Sequence, residues 1–228
     1  PETLIGLYGS ELGERMSALG AQGGRLVSDL IDRYRIDCAF RQEGWIFGIH
    51  SHAMQETMQE RARQWQARGR NVRMLDAAET AQLLGTDAYI AGYLDPEGGA
   101  LNPLSLARGL ARAAMSEGGR VFTASRALRL ERAADGRWLV ETRDGRVSAR
   151  EVIIATGAYT DAFNDEARRS VLPVQSVQIA TAPMPKAVRD SVLPQGHVAS
   201  DSRRLLLYFR QQEDGRLVFG GRGSLGGT

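Results

Sequence analysis

Glu151-Val152-Ile153-Ile154-Ala155-Thr156-Gly157 is the stretch on which the reading of this chain turns. Its Val-Ile-Ile run, without polar alternation, reads as a strand buried on both faces and hence as part of a parallel sheet. Small residues then end the strand, so the backbone of Ala155, Thr156 and Gly157 can be approached closely by a ligand at the carboxyl edge. A plain strand-to-loop turn needing a small residue is the simpler reading of the same three positions.

Outward from that strand, the preceding residues form a meander. Asp135-Gly136 and Asp144-Gly145 are turn signals, and Trp138, Val140 and Thr142 alternate between them. Residues 120–123 and 127–130 read as strands leading into it. Downstream, residues 173–181, 204–210 and 217–220 are further strands, the last two joined at Asp214-Gly215. Upstream, residues 1–34 carry apolar side chains at three- and four-residue steps, predicting helix with a break near Gly23-Gly24. Residues 38–40 and 45–49 predict two strands around a turn, and 51–68 predict a helix with Gly69 just past its end. Residues 72–75 and 89–94 predict strands. Asp76 with Glu79 resembles a capping box, and Asn102-Pro103 reads as an N-cap followed by proline at the first helical position. That helix is expected to bury Leu106, Leu110 and Ala114 and to stop at Gly118-Gly119.

Composition narrows the function classes. The 228 residues carry 43% apolar and 25% charged side chains. That excludes disorder, and scaling predicts about 10,000 Å² of folded surface, with area for a sizeable core. No stretch approaches the ~20 apolar residues of a membrane span. Of the 29 basic residues only Lys186 is a lysine, and the net charge is +2. The arginines alternate with acids and form no basic block with interleaved aromatics, so nucleic acid is not an expected partner. The single Cys38 rules out a disulfide scaffold, and beside apolar neighbours it reads as a buried thiol. No leader pattern follows Pro1, and the expected location is the cytoplasm.

Few residue sets suggest chemistry. Gly221-x-Gly223-x-x-Gly226 matches a dinucleotide pattern in letters, but a helix and a later acid cannot follow within this sequence, so it reads as a loop. His50 and His52 read as a polar helix start, His197 as a loop residue, and no metal site is expected. Tyr208 and Arg210 alternate with Phe209 on one strand and so share a face. There they could hold a carboxylate, the arginine by its fork, or simply form an exposed polar face.

Three segments in this order carry a likeness. They are Asp95-Pro96-Glu97-Gly98-Gly99-Ala100-Leu101-Asn102-Pro103-Leu104-Ser105-Leu106-Ala107-Arg108-Gly109-Leu110, Val152-Ile153-Ile154-Ala155-Thr156-Gly157-Ala158-Tyr159-Thr160, and Leu207-Tyr208-Phe209-Arg210 with Asp214-Gly215-Arg216-Leu217-Val218-Phe219-Gly220-Gly221. Together the chain resembles the D-amino-acid oxidase family of FAD-dependent oxidoreductases, nearest in kind to its glycine, sarcosine and gamma-glutamylputrescine oxidase-like members. The resemblance implies a mixed α/β fold: a partial FAD lobe with a parallel sheet and β-meander, and a substrate lobe built on an antiparallel sheet. Residues 1–34 and 101–171 would belong to the flavin lobe, and 35–100 and 172–228 to the substrate lobe. It further implies that Ala127 meets the adenine, that Ala155, Thr156 and Gly157 lie beside the ribose and pyrophosphate, and that Tyr208 lies over flavin or substrate. No residue here is assigned a catalytic role.

The family also opens with a strand, a Gly-x-Gly-x-x-Gly turn, a helix and a ribose-binding acid, none of which precedes Pro1. The expectation is therefore an internal fragment of a longer enzyme that oxidises a C–N bond of an amine or amino acid and yields peroxide. Alone it is expected to hold FAD weakly or not at all, with the sheet around residues 152–154 incomplete or patched by another molecule. Two rival readings are a non-catalytic ligand- or partner-binding module and a flavin dehydrogenase that does not use oxygen.

Overall fold

The computed structural model describes residues 1–161 and 163–225. Helix α1 (Glu2–Tyr34) does not break at Gly23-Gly24 as its sequence suggested. It kinks at Gly9, where φ is 78° and ψ 166°. A glycine inside a helix costs only about 1 kcal/mol relative to alanine, which packing overrides; the kink instead uses the positive φ that glycine tolerates. The kink brings the first turns back over Gly13, where an added Cβ would lie 2.5 Å from Ile5 Cα.

The chain folds as two compact units. The first comprises Pro1–Ala113 with Val177–Arg222. Its elements after α1 are β1 (Trp45–Ile49), α2 (His52–Gln66), β2 (Arg73–Leu75), α3 (Ala77–Leu84), β3 (Ala91–Asp95) and the start of α4 (Pro103–Ser116). The local stop and start signals act as expected. Asp76 accepts a hydrogen bond from the Glu79 N–H at 2.8 Å, and Asn102 Oδ1 accepts from Leu104 and Ser105, both at 3.1 Å. The buried face of α4 is not the expected one, since Leu110 and Ala114 are exposed while Gly109 and Ala113 are buried. Gly109 permits a close approach: a Cβ there would sit 2.1 Å from Ile36 Cγ2. Residues 38–40 form no strand; the pairing in that region is an isolated bridge between Arg41 and Ala100.

After β4 (Arg129–Arg132), β5 (Trp138–Glu141), β6 (Arg146–Ala149) and α5 (Asp165–Arg169) come β7 (Val174–Ala180), α6 (Lys186–Arg189), β8 (Val198–Asp201), β9 (Leu207–Gln211) and β10 (Leu217–Leu225). Seven strands share one sheet in the order β2-β3-β1-β8-β9-β10-β7. The sheet is mixed rather than wholly antiparallel, because β1 runs parallel to β8, with Phe47 opposite Ser200.

Strand alternation divides this sheet into two faces. Ile46, Leu75 and Ala199 pack with Leu84, Tyr89 and Leu193 on one side. On the other, Ile49, Ala91 and Tyr93, with Trp45 and Phe47, pack against Met58 and Ala62 of α2. The α2 side chains cover β1 and β3, and the same face continues onto β8, β9 and β10 as the wall of a cleft.

The second unit comprises Ala114–Ser176 and, of the described residues after Arg222, residues 223–225. It holds the expected meander, β4-β5-β6. Residues 120–123 are not a strand, and neither is the 152–154 run on which the sequence reading turned. Ile153 is 91% exposed. A strand exists only with a ladder partner, and among the described residues nothing pairs with this segment. None of the described residues in 114–176 is buried. The protein exposes 15395 Å², well above the scaling expectation of about 10,000 Å².

Candidate functional site

In the first unit, the expected partners Tyr208 and Arg210 both line one cleft of about 430 Å³. The β9 register places Tyr208 between Ser200 on β8 and Gly220 on β10, and Arg210 opposite Val218. Directly opposed residues of an antiparallel ladder share a face, so Ser200, Tyr208, Arg210 and Val218 form a continuous wall. Trp45 completes it, its indole N–H donating to Ser200 Oγ at 2.9 Å. Sequence alternation gave the Tyr–Arg pair its common face. It could not supply Trp45 and Ser200, which depend on strand pairing between distant segments.

Arg210 is half-buried, and its Nη1 donates to the Leu101 carbonyl at 2.6 Å. Among the described residues it forms no ion pair with a carboxylate. Burial, and then the nearby positive charge of Arg41, pull its pKa below the ordinary guanidinium value. An arginine stays charged under all such conditions, so this is an electrostatic stress that an anion in the cleft would relieve. The turn before β9 is fixed from beneath by Asp201, which is fully buried. Its carboxylate accepts from the Leu207 N–H at 2.9 Å and pairs with Arg203, whose guanidinium lies over the Tyr89 ring, 5.2 Å from its centroid. A buried carboxylate without such partners would be strongly destabilising.

In the second unit, Ala127 is half-buried and Ala155, Thr156 and Gly157 are exposed. Gly157 has φ 51° and begins a short 3-10 turn (Gly157–Tyr159), with open space where a Cβ would stand. The Thr156 hydroxyl is engaged with that of Thr160, which donates to the Gly157 carbonyl at 2.9 Å. A tie that the sequence reading missed links the two candidate segments: Arg126, next to Ala127, pairs with Asp161 through both Nε and Nη2. That pairing holds the Asp161 carboxyl below its usual pKa. The open, small-residue backbone at 155–157 fits close approach by one edge of a dinucleotide. A glycine-rich turn opening a helix, as a pyrophosphate requires, is not found among the described residues. Gly221 and Gly223 continue β10 rather than forming the expected loop, and Gly226 lies outside the described residues.

The remaining candidates have structural surroundings. Cys38 is buried, and burial followed by the Asp37 charge pushes its thiol pKa up. His50 Nδ1 lies 2.6 Å from Ser202 Oγ. His197 sits in a loop, as read, but is buried there: among the described residues its Nδ1 has no hydrogen-bond partner, and burial lowers its pKa. No described helix is long and apolar enough to cross a membrane.

The profile of the DAO family, described as FAD dependent oxidoreductase, matches residues 3–228. The chain belongs to this family. Its members are FAD-dependent flavoproteins. Over 216 residues the chain is 30% identical to gamma-glutamylputrescine oxidoreductase of Escherichia coli (strain K12), covering 94% of this chain and 50% of that protein. Among solved structures it is similar to L-proline dehydrogenase from P. horikoshii, with TM-score 0.71 and 17% identity, covering 88% of this chain and 54% of the other. Iminodiacetate oxidase from Chelativorans sp. BNC1 aligns with TM-score 0.67 and 24% identity, covering 92% and 58%. These two likenesses show the fold. The chain spans about half the length of the curated relatives it matches most extensively.

Proposed function

We propose that the whole protein to which this chain belongs uses FAD to oxidise a C–N bond of a small amine or amino acid, and that the Arg210 cleft holds that substrate's carboxylate. The observation that carries this reading is Arg210 itself: half-buried, anchored on the Leu101 carbonyl at 2.6 Å, and lining the cleft beside Tyr208. Anchoring one nitrogen fixes the fork and leaves its other N–H groups to meet a carboxylate. Ser200 Oγ already accepts from Trp45, so its own O–H remains to donate to a ligand. Trp45, Val198 and Val218 give apolar walls that exclude water and hold the substrate carbon in place.

In this reading residues 1–34 and 101–171 belong to a flavin lobe, and 35–100 and 172–228 to a substrate lobe. Ala127 and residues 155–157 would lie along the adenine, ribose and pyrophosphate side of the cofactor. When bound, FAD supplies the acceptor for the hydride leaving the carbon that bears the amine, after which the imine is hydrolysed. The residues of this chain bind, orient and shield.

The test is to purify the whole protein, record flavin absorbance, and add a panel of amines with and without a carboxylate in the absence of oxygen. Bleaching by a carboxylate-bearing amine, followed by peroxide on admitting oxygen, is expected. A flavin reoxidised only by an added dye would instead indicate the dehydrogenase reading. A whole protein without flavin would overturn the proposal in favour of a binding module. The 228-residue chain by itself is expected to carry flavin well below one per chain, since its described residues fit one edge of the cofactor.

A further inference from the structure

Arg41 and Arg189 line a second pocket of the first unit, about 300 Å³ in volume, with Asp190, Gln211, Glu213 and Gly196. Arg189 Nε is buried and has no hydrogen-bond partner among the described residues. More than nine in ten buried polar groups in folded proteins are satisfied, and a guanidinium nitrogen left without one carries its full desolvation cost. The side chain is also confined, since a Cβ added to Gly215 would lie 2.9 Å from Arg189 Cδ and 3.0 Å from its Nη1. Gly215 has φ 82°, so both the turn and the space depend on glycine.

Arg41 is held from the other side. Its Nη2 donates to the Gln211 carbonyl at 2.7 Å, and Gln211 Nε2 in turn donates to the Arg189 carbonyl at 2.7 Å. A backbone carbonyl thus positions the Arg41 guanidinium, and the Gln211 amide holds the backbone of Arg189, while neither guanidinium forms an ion pair with a carboxylate among the described residues. Of the two acids in the lining, Asp190 pairs with Lys186 at 2.5 Å. Glu213 is exposed and has no ion pair among the described residues. Its charge opposes a dianion more than a monoanion.

We propose that Arg41 and Arg189 bind a small, singly charged carboxylate in a pocket separate from the Arg210 cleft. Two guanidinium forks, that of Arg41 anchored and that of Arg189 confined beside Gly215, are the donor set such an anion requires. The buried Arg189 Nε supplies a donor whose partner the fold does not provide.

The test is calorimetric titration of the 228-residue chain with sodium acetate, and separately with sodium phosphate, in low-chloride buffer at neutral pH. Two saturable acetate sites are expected. Arg189→Gln should weaken one of them at least tenfold, and Arg210→Gln should remove the other. R189K keeps the charge and stem but loses the planar fork, and is expected to weaken the same site by less; it keeps the test open should R189Q fail to fold. Acetate binding that is absent in the wild type, or unchanged in R189Q and R189K, would overturn the inference. So would phosphate binding at the Arg189-dependent site as tightly as acetate. Loss of one site in R189Q with no effect of R210Q would instead count against the cleft reading and leave this one standing.

Discussion

Tyr208 and Gly220 face each other across β9 and β10, and the tyrosine ring occupies the space a side chain at 220 would need. An added Cβ would lie 2.3 Å from Tyr208 Cε2 and 2.6 Å from its hydroxyl oxygen. The glycine therefore sets where the cleft's aromatic wall stands. G220A should lower stability by about 1–3 kcal/mol, the usual cost of overpacking. In a Y208A background the same substitution should cost less, because the ring that is struck has gone. Urea unfolding of the four proteins of this cycle measures the coupling; equal costs in both backgrounds would show that the ring is not what Gly220 accommodates.

Ile153 and Ile46 look alike in the sequence, each in an apolar run, yet one is 91% exposed and the other 0%. Ile46→Ala should cost about 2–5 kcal/mol of stability, as a buried large-to-small change does. Ile153→Asp in the 228-residue chain should stay within about 0.5 kcal/mol of the wild type. Thermal melts of the two variants compare them directly, and a large loss from I153D would mean that the segment is covered.

His197 gives the protein an acid-sensitive element. Burial, reinforced by the Arg73 charge and opposed by Glu43, holds its pKa below the ordinary imidazole value of about 6.5. The unfolded chain therefore takes up this proton at higher pH than the folded one. The stability that the neutral ring contributes is whole above about pH 6.5 and is lost as pH falls through the lower folded pKa. His197→Phe keeps a buried ring and removes the proton. The urea midpoint of the wild type should fall more than that of H197F between pH 7.5 and pH 5.5. Parallel declines would show that His197 takes no part.

The features legible in the sequence are the ones whose cause is local. Asp76 capping α3, Asn102-Pro103 opening α4 and the Asp-Gly turns of the meander each depend on a few neighbouring residues, and each is present. The shared face of Tyr208 and Arg210 follows from strand alternation alone. What failed depends on distant partners. Val152-Ile153-Ile154 has the composition of a buried strand, but composition does not supply a ladder, and no described segment pairs with it. Gly23-Gly24 stays helical while Gly9 kinks, because what decides is the packing of Ile5 over Gly13. His197 does sit in a loop, but its burial, with the ring packed beside Gly44 from a distant part of the chain, could not be read locally. The family likeness was legible because its motifs are short and contiguous. The cleft's remaining walls, Trp45 and Ser200, meet only through the parallel pairing of β1 with β8.

The central claim is that Arg210 holds a substrate carboxylate, and anaerobic flavin reduction by the whole protein tests it most directly. The rate of bleaching would be followed against the concentration of the amine that reduces the flavin, and of its analogue lacking the carboxylate, in wild type and R210Q. A charge-assisted contact contributes about 1.5–3 kcal/mol. The half-saturating concentration of the carboxylate-bearing amine should therefore rise roughly 10- to 150-fold in R210Q, with the analogue little changed. Equal effects on both compounds, or none on either, would contradict the claim.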